Sequence, residues 1–185
     1  MDPKPVRRTR GLYAWEITEA QSVFGGSLAY DRVRIQEGVG WPDYINIVGR
    51  KLRGQPAPGP GEHNAITLLY TLSFPLNLPE SLPAPGSPDD YCVDWLIHEL
   101  THAWQNQHTG PGYIVRALNA QFKYKNPYDY GGAVKLKENR LKGDKISSFN
   151  PEAQASITQD YYRRKRRNQD VSAFEPFVDD IRNTL

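Results

Sequence analysis

Three residues in the segment WLIHELTHAWQNQH, residues 95–108, have the types and spacing of a metal site. His98 and His102 stand at positions i and i+4, so on a helix their imidazoles lie one turn apart on the same face and can reach one ion. Glu99 lies beside that face, where a carboxylate can take a proton from water without ligating the metal. The His-Glu-x-x-His pattern therefore predicts zinc ligation by the two histidines, with Glu99 as the general base.

The residues around this pattern predict the helix that it requires. Residues 87–90 (SPDD) offer a capping serine, a proline for the first helical position and early acids, and Gly110 followed by proline ends the segment. Apolar side chains surround the pattern: Leu96, Ile97, Leu100, Ala103 and Trp104. We favour an active-site helix buried in a core over the other interpretation, a pair of core histidines with a solvated glutamate.

His108 is one alternative for the third ligand, since it lies six residues beyond His102, as in the metzincin pattern. That pattern has a glycine that breaks the helix, whereas Gln105 stands in its place here. A helix that continues to Thr109 rotates His108 about 240° away from His102. Metzincins also need a methionine below the site, and Met1 is the only methionine. His108 is therefore predicted to be a polar residue near the helix end.

Glu152 is the predicted third ligand, supplied by a second helix as in thermolysin-like sites. Asn150 can cap that helix and Pro151 fits its first position, which places Glu152 in the first turn. A glutamate near a helix start is also common for purely electrostatic reasons. Glu138 and His63 therefore remain alternative ligands.

The groups that would orient the two histidines are less evident. A histidine ligand usually donates its second N–H to a carboxylate or a carbonyl. Asp94 lies one turn before His98, and Asp160 lies two turns after Glu152. Thermolysin-like sites place an aspartate one turn after the ligand glutamate, where this chain has Ser156. The sequence therefore leaves the partners of the histidines unassigned.

The same segments resemble a known family. WLIHELTHAWQNQHTG, the later FNPEAQASITQDYY and the strand NAITLLYTLSF are similar to the gluzincin-like zinc-metallopeptidase domains associated with bacterial contractile injection systems. These include the C-terminal effector domain of certain VgrG spike proteins, modules associated with Rhs elements and an injection-system core domain. The resemblance runs from about Ala20 to Tyr162. It rests on the W-Q-x-Q-x-x-G and F-N-x-E-x-Q-A segments, because His-Glu-x-x-His is shared by many peptidases.

The resemblance implies roles for four residues. His98, His102 and Glu152 would bind zinc, and Glu99 would act as the base. It also implies a peptide or protein substrate and a toxic action on competing bacteria. The partners that it implies are a secretion-spike protein and a cognate immunity protein, although the sequence itself shows no spike or repeat region.

Substrate contacts are predicted on a strand that begins at Asn64. Asn64 and Ala65 resemble the Asn-Ala edge segment of thermolysin-like sites, so an extended peptide is expected along this strand. The other interpretation is a plain core strand. The developing oxyanion needs a donor besides zinc. Tyr161 is our candidate for that role, and Tyr162 and Tyr113 are the alternatives.

The chain is predicted to belong to the α+β class. Residues 1–10 have the composition of a flexible polar arm, and residues 11–185 are expected to form a single zincin-like metallopeptidase domain. The C-terminal half of that domain is predicted to be helical and to carry the zinc site. The N-terminal part is predicted to contain a small antiparallel sheet.

The elements of the N-terminal part follow from short patterns. The segment ITEAQSVFGG predicts a short helix that ends at Gly25. Residues 30–35 and 44–48 alternate apolar with polar side chains, so they are predicted to pair as antiparallel strands. Residues 64–74 give the strongest strand signal, because β-branched and aromatic residues dominate them.

Composition excludes several other classes of protein. The net charge is +2, and the basic run 163–167 is more typical of a solvated helix end than of a nucleic-acid interface. Because Cys92 is the only cysteine, a Cys-rich zinc module is excluded. Cys92 is predicted to be buried. No apolar run has the length of a membrane span and no secretory signal is evident. The protein is therefore expected to be cytoplasmic when made, with a secretion system as its route into target cells.

A non-catalytic module is the alternative function. In that interpretation zinc stabilises a structural or interaction module. A separate alternative is a metzincin-type site with His108 as the third ligand. Glu99 argues against a purely structural zinc site, because such a site gains nothing from a general base.

Overall fold

The computed structural model describes residues 5–44, 50, 56–59, 63–110, 112 and 126–184. Its strands are Arg8–Arg10 (β1), Arg34–Glu37 (β2), Ile66–Leu68 (β3) and Thr71–Ser73 (β4). Its α-helices are Ala14–Phe24 (α1), Asp90–Thr109 (α2), Gly132–Leu141 (α3), Pro151–Arg166 (α4) and Glu175–Arg182 (α5). The elements agree with the predicted α+β composition and with the helical C-terminal half, whereas the zincin-like character of the fold stays a prediction.

The four strands form one mixed sheet in the order β1-β2-β4-β3. β1 pairs with β2 and β3 pairs with β4 in antiparallel fashion, but β2 and β4 are parallel. The prediction of a wholly antiparallel sheet is therefore wrong. The expected partner strand, residues 44–48, lies outside the described part of the chain except for Tyr44, which is helical. The long connection after β2 allows β4 to return in the same direction as β2.

The predicted strand over residues 64–74 is a hairpin of β3 and β4. Leu68 pairs with Thr71, so only Leu69 and Tyr70 form the turn. Leu69 adopts a φ of 57°, a conformation that usually requires glycine or asparagine. The turn carries neither residue, which explains why the sequence pattern reads as one uninterrupted strand.

The N-terminal arm predicted for residues 1–10 ends in a strand. Arg10 pairs with Ile35 in the sheet, and its guanidinium lies 2.7 Å from a carboxylate oxygen of Glu16 and 2.8 Å from one of Glu37. Both carboxylates are fully buried, so the arginine neutralises charge inside the fold. The arm is thus held by buried ion pairs that a composition argument cannot detect.

The segment predicted as a strand over residues 30–35 is divided between two elements. Residues Tyr30–Arg32 form a 3₁₀ turn, and β2 begins only at Arg34. β2 ends before Gly38, whose φ is +66°, and a Cβ atom there would come within 2.8 Å of the backbone of Val6. The helix predicted before this region is confirmed, since α1 ends at Phe24 with Gly25 as its C-cap.

α2 begins two residues later than the sequence suggested. Its N-cap is Asp89, and Ser87 precedes the helix in a turn. The Asp90 carboxylate accepts hydrogen bonds from the backbone N–H of Gly86 and from Arg166 and Arg167 at the far end of α4. Gly110 ends the helix as predicted, with a φ of 72°.

α2 and α4 pack side by side and form the centre of the protein. Small or polar buried residues face each other between them, and Thr101 Oγ1 lies 2.7 Å from Thr158 Oγ1. Ala153 and Ala155 are buried, and their small side chains allow the two helices to approach closely. The largest fully buried side chains around this pair include Phe24, Phe74, Leu96, Leu100, Phe174 and Phe177. Burial of these apolar surfaces holds the two helices and the sheet together.

The basic run at the end of α4 is only partly solvated. Arg163 lies 2.6 Å from the buried carboxylate of Asp94, and Arg166 lies 2.5 Å from that of Asp90. The run therefore connects α4 to α2, which a charge pattern alone does not indicate. Cys92 is buried, as predicted. Among the described helices, none combines the length and the apolar character that a membrane crossing requires.

Candidate metal centre

The site lies where α2 passes the first turn of α4. His98 and His102 project from one face of α2, one turn apart, and their Nε2 atoms each lie 3.4 Å from Oε2 of Glu152. Glu152 is placed there by the local sequence, because Asn150 Oδ1 accepts hydrogen bonds from the N–H groups of Glu152 and Ala153. The predicted cap and the predicted third residue of the cluster are thus found together.

The separations between Glu152 and the two histidines match those of zinc ligands. Zinc–nitrogen and zinc–oxygen bonds of about 2.0–2.1 Å at the tetrahedral angle place two ligand atoms about 3.3 Å apart. The two measured separations are 3.4 Å, and the three ligand atoms all lie within 4.8 Å of one another. A strong hydrogen bond between imidazolium and carboxylate would be shorter, at about 2.7–2.9 Å. The residues present therefore fit a tetrahedral zinc ion.

Glu152 and His102 shift each other's pKa. Burial disfavours the charged form of His102, but the Glu152 carboxylate outweighs burial and raises the pKa of His102 to about 9. Burial likewise acts to raise the pKa of Glu152, but the two histidines outweigh it and lower that pKa well below its usual range. Glu152 is therefore an anion at neutral pH, as a ligand of a cation must be.

Two glutamines contact the ring nitrogens that face away from Glu152. Nδ1 of His98 lies 3.1 Å from Oε1 of Gln159, and Nδ1 of His102 lies 2.9 Å from Oε1 of Gln105. If each Nδ1 carries the proton, each Nε2 presents a lone pair to the site. Sequence reasoning missed Gln105 in this role, although it lies one helical turn from His102 and therefore on a neighbouring part of the same face.

The aspartates considered for this role have other partners. Asp94 forms an ion pair with Arg163, and Asp160 accepts hydrogen bonds from Tyr130 and Arg163. Neither is hydrogen-bonded to a histidine of the cluster in the described structure. The partners of the two histidines are neutral amides, which a pattern of acidic residues does not indicate.

Glu99 lies beside the cluster, on the side of the sheet. It is buried, and its charge also contributes to the raised pKa of His102. The hydroxyl of Thr67 in β3 donates to Oε2 of Glu99 over 2.6 Å. This contact fixes the carboxylate relative to the strand, and no sequence pattern indicates it.

His108 lies away from the cluster, as the helical rotation predicted. α2 continues to Thr109, and Nε2 of His108 is 2.8 Å from the carbonyl oxygen of Ser27. The His108 ring also packs on Trp104, with 4.9 Å between ring centroids. His108 therefore connects α2 to the turn that follows α1.

The predicted oxyanion donor is directed elsewhere. Tyr161 is buried against α5, where its hydroxyl donates to Glu175 over 3.1 Å and accepts from Arg182 over 2.8 Å. Tyr162 donates to Glu19 of α1 over 2.7 Å. Both hydroxyls thus face the helices on the far side of α4, and Tyr113 lies outside the described residues.

A different tyrosine lies close to the cluster. The ring centroid of Tyr128 is 6.1 Å from that of His98, and the residue is 44% exposed. Sequence reasoning did not identify it, because it lies in an irregular segment before α3. Its position makes it a better candidate than Tyr161 for contact with a ligand at the site.

The remaining candidates lie at the margin or outside the site. The backbone N–H of Asn64 donates to Asp43 over 2.7 Å, and Ala65 is buried in the core. His63 pairs with Asp43, and Glu138 forms a surface ion pair with Lys135 over 3.0 Å. Neither alternative ligand is part of the cluster.

The fold and the cluster together define an α+β protein with a candidate metal centre between two helices. In sequence the chain is 29% identical over 177 residues to the type VI secretion system spike protein VgrG2b of Pseudomonas aeruginosa. The match covers 94% of this chain but only 15% of the length of that spike protein. No family model matches the chain, and no solved structure matches it significantly.

Proposed function

We propose that this protein is a zinc-dependent hydrolase, and specifically an endopeptidase. The observation that carries the proposal is the convergence of Nε2 of His98, Nε2 of His102 and a carboxylate oxygen of Glu152 within 4.8 Å of one another. A second carboxylate, that of Glu99, lies next to this cluster without being one of its three members. Three ligands with an adjacent base are typical of catalytic rather than structural zinc sites.

The two carboxylates have different tasks in this proposal. When bound by His98, His102 and Glu152, zinc would supply a Lewis acid that polarises a peptide carbonyl and makes water more acidic. Glu99 takes a proton from the water whose oxygen attacks the carbonyl carbon. As the carbon–nitrogen bond breaks, Glu99 passes that proton to the departing amine nitrogen.

Thr67 supports the base in this proposal. Its hydroxyl occupies one oxygen of the Glu99 carboxylate, which restricts the rotation of the carboxylate and directs it relative to β3. Because a base must lie within hydrogen-bonding reach of the proton that it takes, such restriction favours proton transfer. Thr67 is thus a positioning residue that links the strand to the chemistry.

β3 offers a surface for an extended peptide. It lies at one end of the strand order and pairs with β4 on one side. Thr67 lies in the middle of β3 and contacts Glu99, so a peptide added along β3 would pass beside the base. Asn64 and Ala65, which precede β3, would then contact one end of that peptide through the backbone, since the Ala65 side chain is buried.

The similarity to a type VI secretion spike protein supports a secretion-system context for the proposed activity. We propose that the chain acts as an effector that such a system delivers, in association with a spike protein. Its toxicity in a target cell would then depend on the same site. Expression of the parent and of Glu99→Gln in the periplasm of a test bacterium addresses this point, because only the parent should slow growth.

The direct test compares the zinc-loaded parent with Glu99→Gln. Cleavage of a panel of unstructured peptides is followed by mass spectrometry, and bound zinc is measured in the same samples. Removal of a general base lowers rates by about 10²- to 10⁴-fold. We expect a loss of this size with zinc retained, whereas Glu138→Gln, a surface change of the same type, should cleave like the parent.

Two results would contradict the proposal. Equal cleavage by the parent and by Glu99→Gln, with zinc bound to both, would exclude Glu99 as the base. Zinc binding by the parent without cleavage of any peptide or any effect on growth would favour a non-catalytic zinc module instead.

A further inference from the structure

We infer that Gln105 is a positioning residue that sets the tautomer of His102 and ties it to the helix that carries Glu152. The inference rests on the proposed zinc site, since it concerns how two of the proposed ligands are held. It is carried by a chain of hydrogen bonds in which each donor and acceptor can be assigned.

The assignment begins at two backbone carbonyls, which can only accept hydrogen bonds. The side chain of Gln154 lies 2.8 Å from the carbonyl oxygen of Phe149, so the atom that faces this oxygen must be the amide nitrogen. The side chain of Gln105 lies 2.9 Å from the carbonyl oxygen of Pro151, so its amide nitrogen must face that oxygen. The orientations of both amides are therefore fixed by chemistry and need no further assumption.

The contact between the two glutamines agrees with this assignment. The amide nitrogen of Gln105 also lies 3.0 Å from Oε1 of Gln154, which is the oxygen that the first assignment leaves available. Both hydrogens of the Gln105 amide are then used. Its Oε1 must face Nδ1 of His102, at 2.9 Å, and can only accept.

The Gln105 oxygen sets the tautomer of His102. Nδ1 must carry a proton in order to donate to Gln105, so in the neutral ring Nε2 has the lone pair. Nε2 is the atom that faces Glu152, at 3.4 Å. The amide thus holds the imidazole in the one neutral form that can ligate a metal from the observed orientation.

Gln105 also fixes the two ligands relative to each other. Its nitrogen is bound to the carbonyl of Pro151, the residue directly before Glu152, while its oxygen is bound to His102. A single buried side chain, 3% exposed, therefore connects one ligand to the backbone next to another ligand across two helices. The position at which a metzincin has glycine is used here for a different purpose.

The test uses three variants of similar size. Gln105→Met removes all the hydrogen bonds but keeps an unbranched side chain, and Gln105→Glu keeps an acceptor for His102 while it removes the donors. Gln107→Met is the matched control: Gln107 lies on the same helix and binds Ser27 and Ala29 through its amide, but it touches no residue of the cluster in the described structure. Zinc affinity is measured by competition with a chelating dye, and the melting temperature of the metal-free protein is measured alongside.

We expect Gln105→Met to bind zinc about 10- to 100-fold more weakly than the parent. Gln105→Glu should bind at least as tightly as the parent, because the acceptor for His102 is restored, although its melting temperature should fall. Gln107→Met should lose melting temperature without losing zinc affinity. A purely structural role for Gln105 would instead lower affinity only in step with melting temperature. Parent-like affinity in Gln105→Met would overturn the inference.

A measurement on the parent needs no variant. Long-range ¹H–¹⁵N spectra of the zinc-loaded protein report which imidazole nitrogen carries the proton, and we expect Nδ1 of His102 to be protonated. A proton on Nε2 would overturn the inference even if Gln105→Met failed to fold. His98→Ala distinguishes an error in the proposed zinc site from an error in the role proposed for Gln105. If it leaves zinc affinity unchanged, the site itself is wrong; if it abolishes binding while Gln105→Met does not, only the role of Gln105 is wrong.

Discussion

Replacement of Glu152 by glutamine tests whether the cluster binds zinc at all. The Glu152 side chain is buried, and its Oε2 lies 3.4 Å from both histidine nitrogens. Glu152→Gln keeps the size of the side chain but removes its charge, so the cluster loses its anionic ligand while the packing of α4 is retained. We expect zinc affinity to fall at least about 100-fold, because loss of a partner behind a ligand alone costs about 10- to 100-fold.

This loss can be converted to a thermal shift. A ligand that binds only the folded state stabilises it by RT ln(1 + [L]/Kd), which is about 4.1 kcal/mol at 1,000 times Kd. One kcal/mol changes the melting temperature of a protein of this size by about 2–4 °C, so zinc should raise that of the parent by about 8–16 °C. In the variant the same zinc concentration is only about ten times Kd, where the gain is about 1.4 kcal/mol and the shift about 3–6 °C.

The assay is differential scanning fluorimetry with zinc and, separately, with a chelator. Glu138→Gln serves as the control, since Glu138 is exposed on α3 and pairs only with a neighbouring lysine in the described structure. Glu99→Gln should also keep the full shift, because Glu99 is not one of the three ligands. A full zinc-dependent shift in Glu152→Gln would refute the assignment of the third ligand. A shift lost in Glu99→Gln would refute the division of tasks between the two carboxylates.

Three further predictions concern the residues around the site. Asp90→Asn should destabilise the fold by about 3 kcal/mol in urea denaturation, because it breaks buried ion pairs between α2 and α4. Asp89→Asn, at the exposed position beside it, should be nearly neutral. Burial acts to raise the pKa of Asp90, but Gly86, Arg166 and Arg167 outweigh burial and lower that pKa. The stabilisation of the fold by the Asp90 carboxylate is therefore complete above the ordinary pKa of 3.8 and is lost as the pH falls further. An acid unfolding midpoint unchanged in Asp90→Asn would contradict this. Thr67→Val should lower kcat about tenfold, since it removes one hydrogen bond to the Glu99 carboxylate. The zinc-dependent thermal shift should stay unchanged. An unchanged kcat would exclude a positioning role for Thr67. Leu69→Gly should stabilise the protein by up to about 1 kcal/mol in urea denaturation, because glycine adopts the left-handed φ without strain. Destabilisation would show that the exposed leucine side chain stabilises the fold by more than its backbone strain costs.

The parts of the site that depend on local sequence could be predicted. The positions of His98 and His102 on one helical face follow from their spacing, and the first turn of α4 follows from Asn150 and Pro151. These features require only the geometry of a helix and the chemistry of its first N–H groups. Glu152 was accordingly placed at the cluster from sequence alone.

The partners of the histidines could not be predicted in the same way. Gln159 lies on the other helix, and nothing in its sequence neighbourhood distinguishes it from a solvated glutamine. In the sequence, Gln105 stands out only as a departure from the glycine of the metzincin pattern. Its partner Pro151 is distant in sequence and contributes a backbone carbonyl, which no residue type announces. Contacts of this kind depend on how two helices pack, and single-sequence patterns carry little information about that.

The sheet was predicted least well, for a related reason. Alternating side chains indicate a strand but not its partner or direction. The parallel pairing of β2 with β4 joins strands that are distant in sequence, and the hairpin turn at Leu69 lacks the residues that normally mark a turn. Strand existence was therefore easier to predict than sheet topology.

The contacts between α2 and α4 bear on what zinc would do here. Asp90 at the start of α2 binds Arg166 at the end of α4, and Gln105 near the end of α2 binds Pro151 at the start of α4. The two helices are therefore antiparallel and joined by polar contacts at both ends.

A structural metal ion supplies contacts that the fold otherwise lacks. Here the helices that carry the ligands are already joined on both sides of the site by side chains that need no metal, and buried apolar residues pack around them. Zinc would add stability without being required for the pairing of α2 and α4. The metal-free protein should thus keep its helical far-ultraviolet spectrum below its lowered melting temperature, as expected if the ion serves chemistry rather than folding.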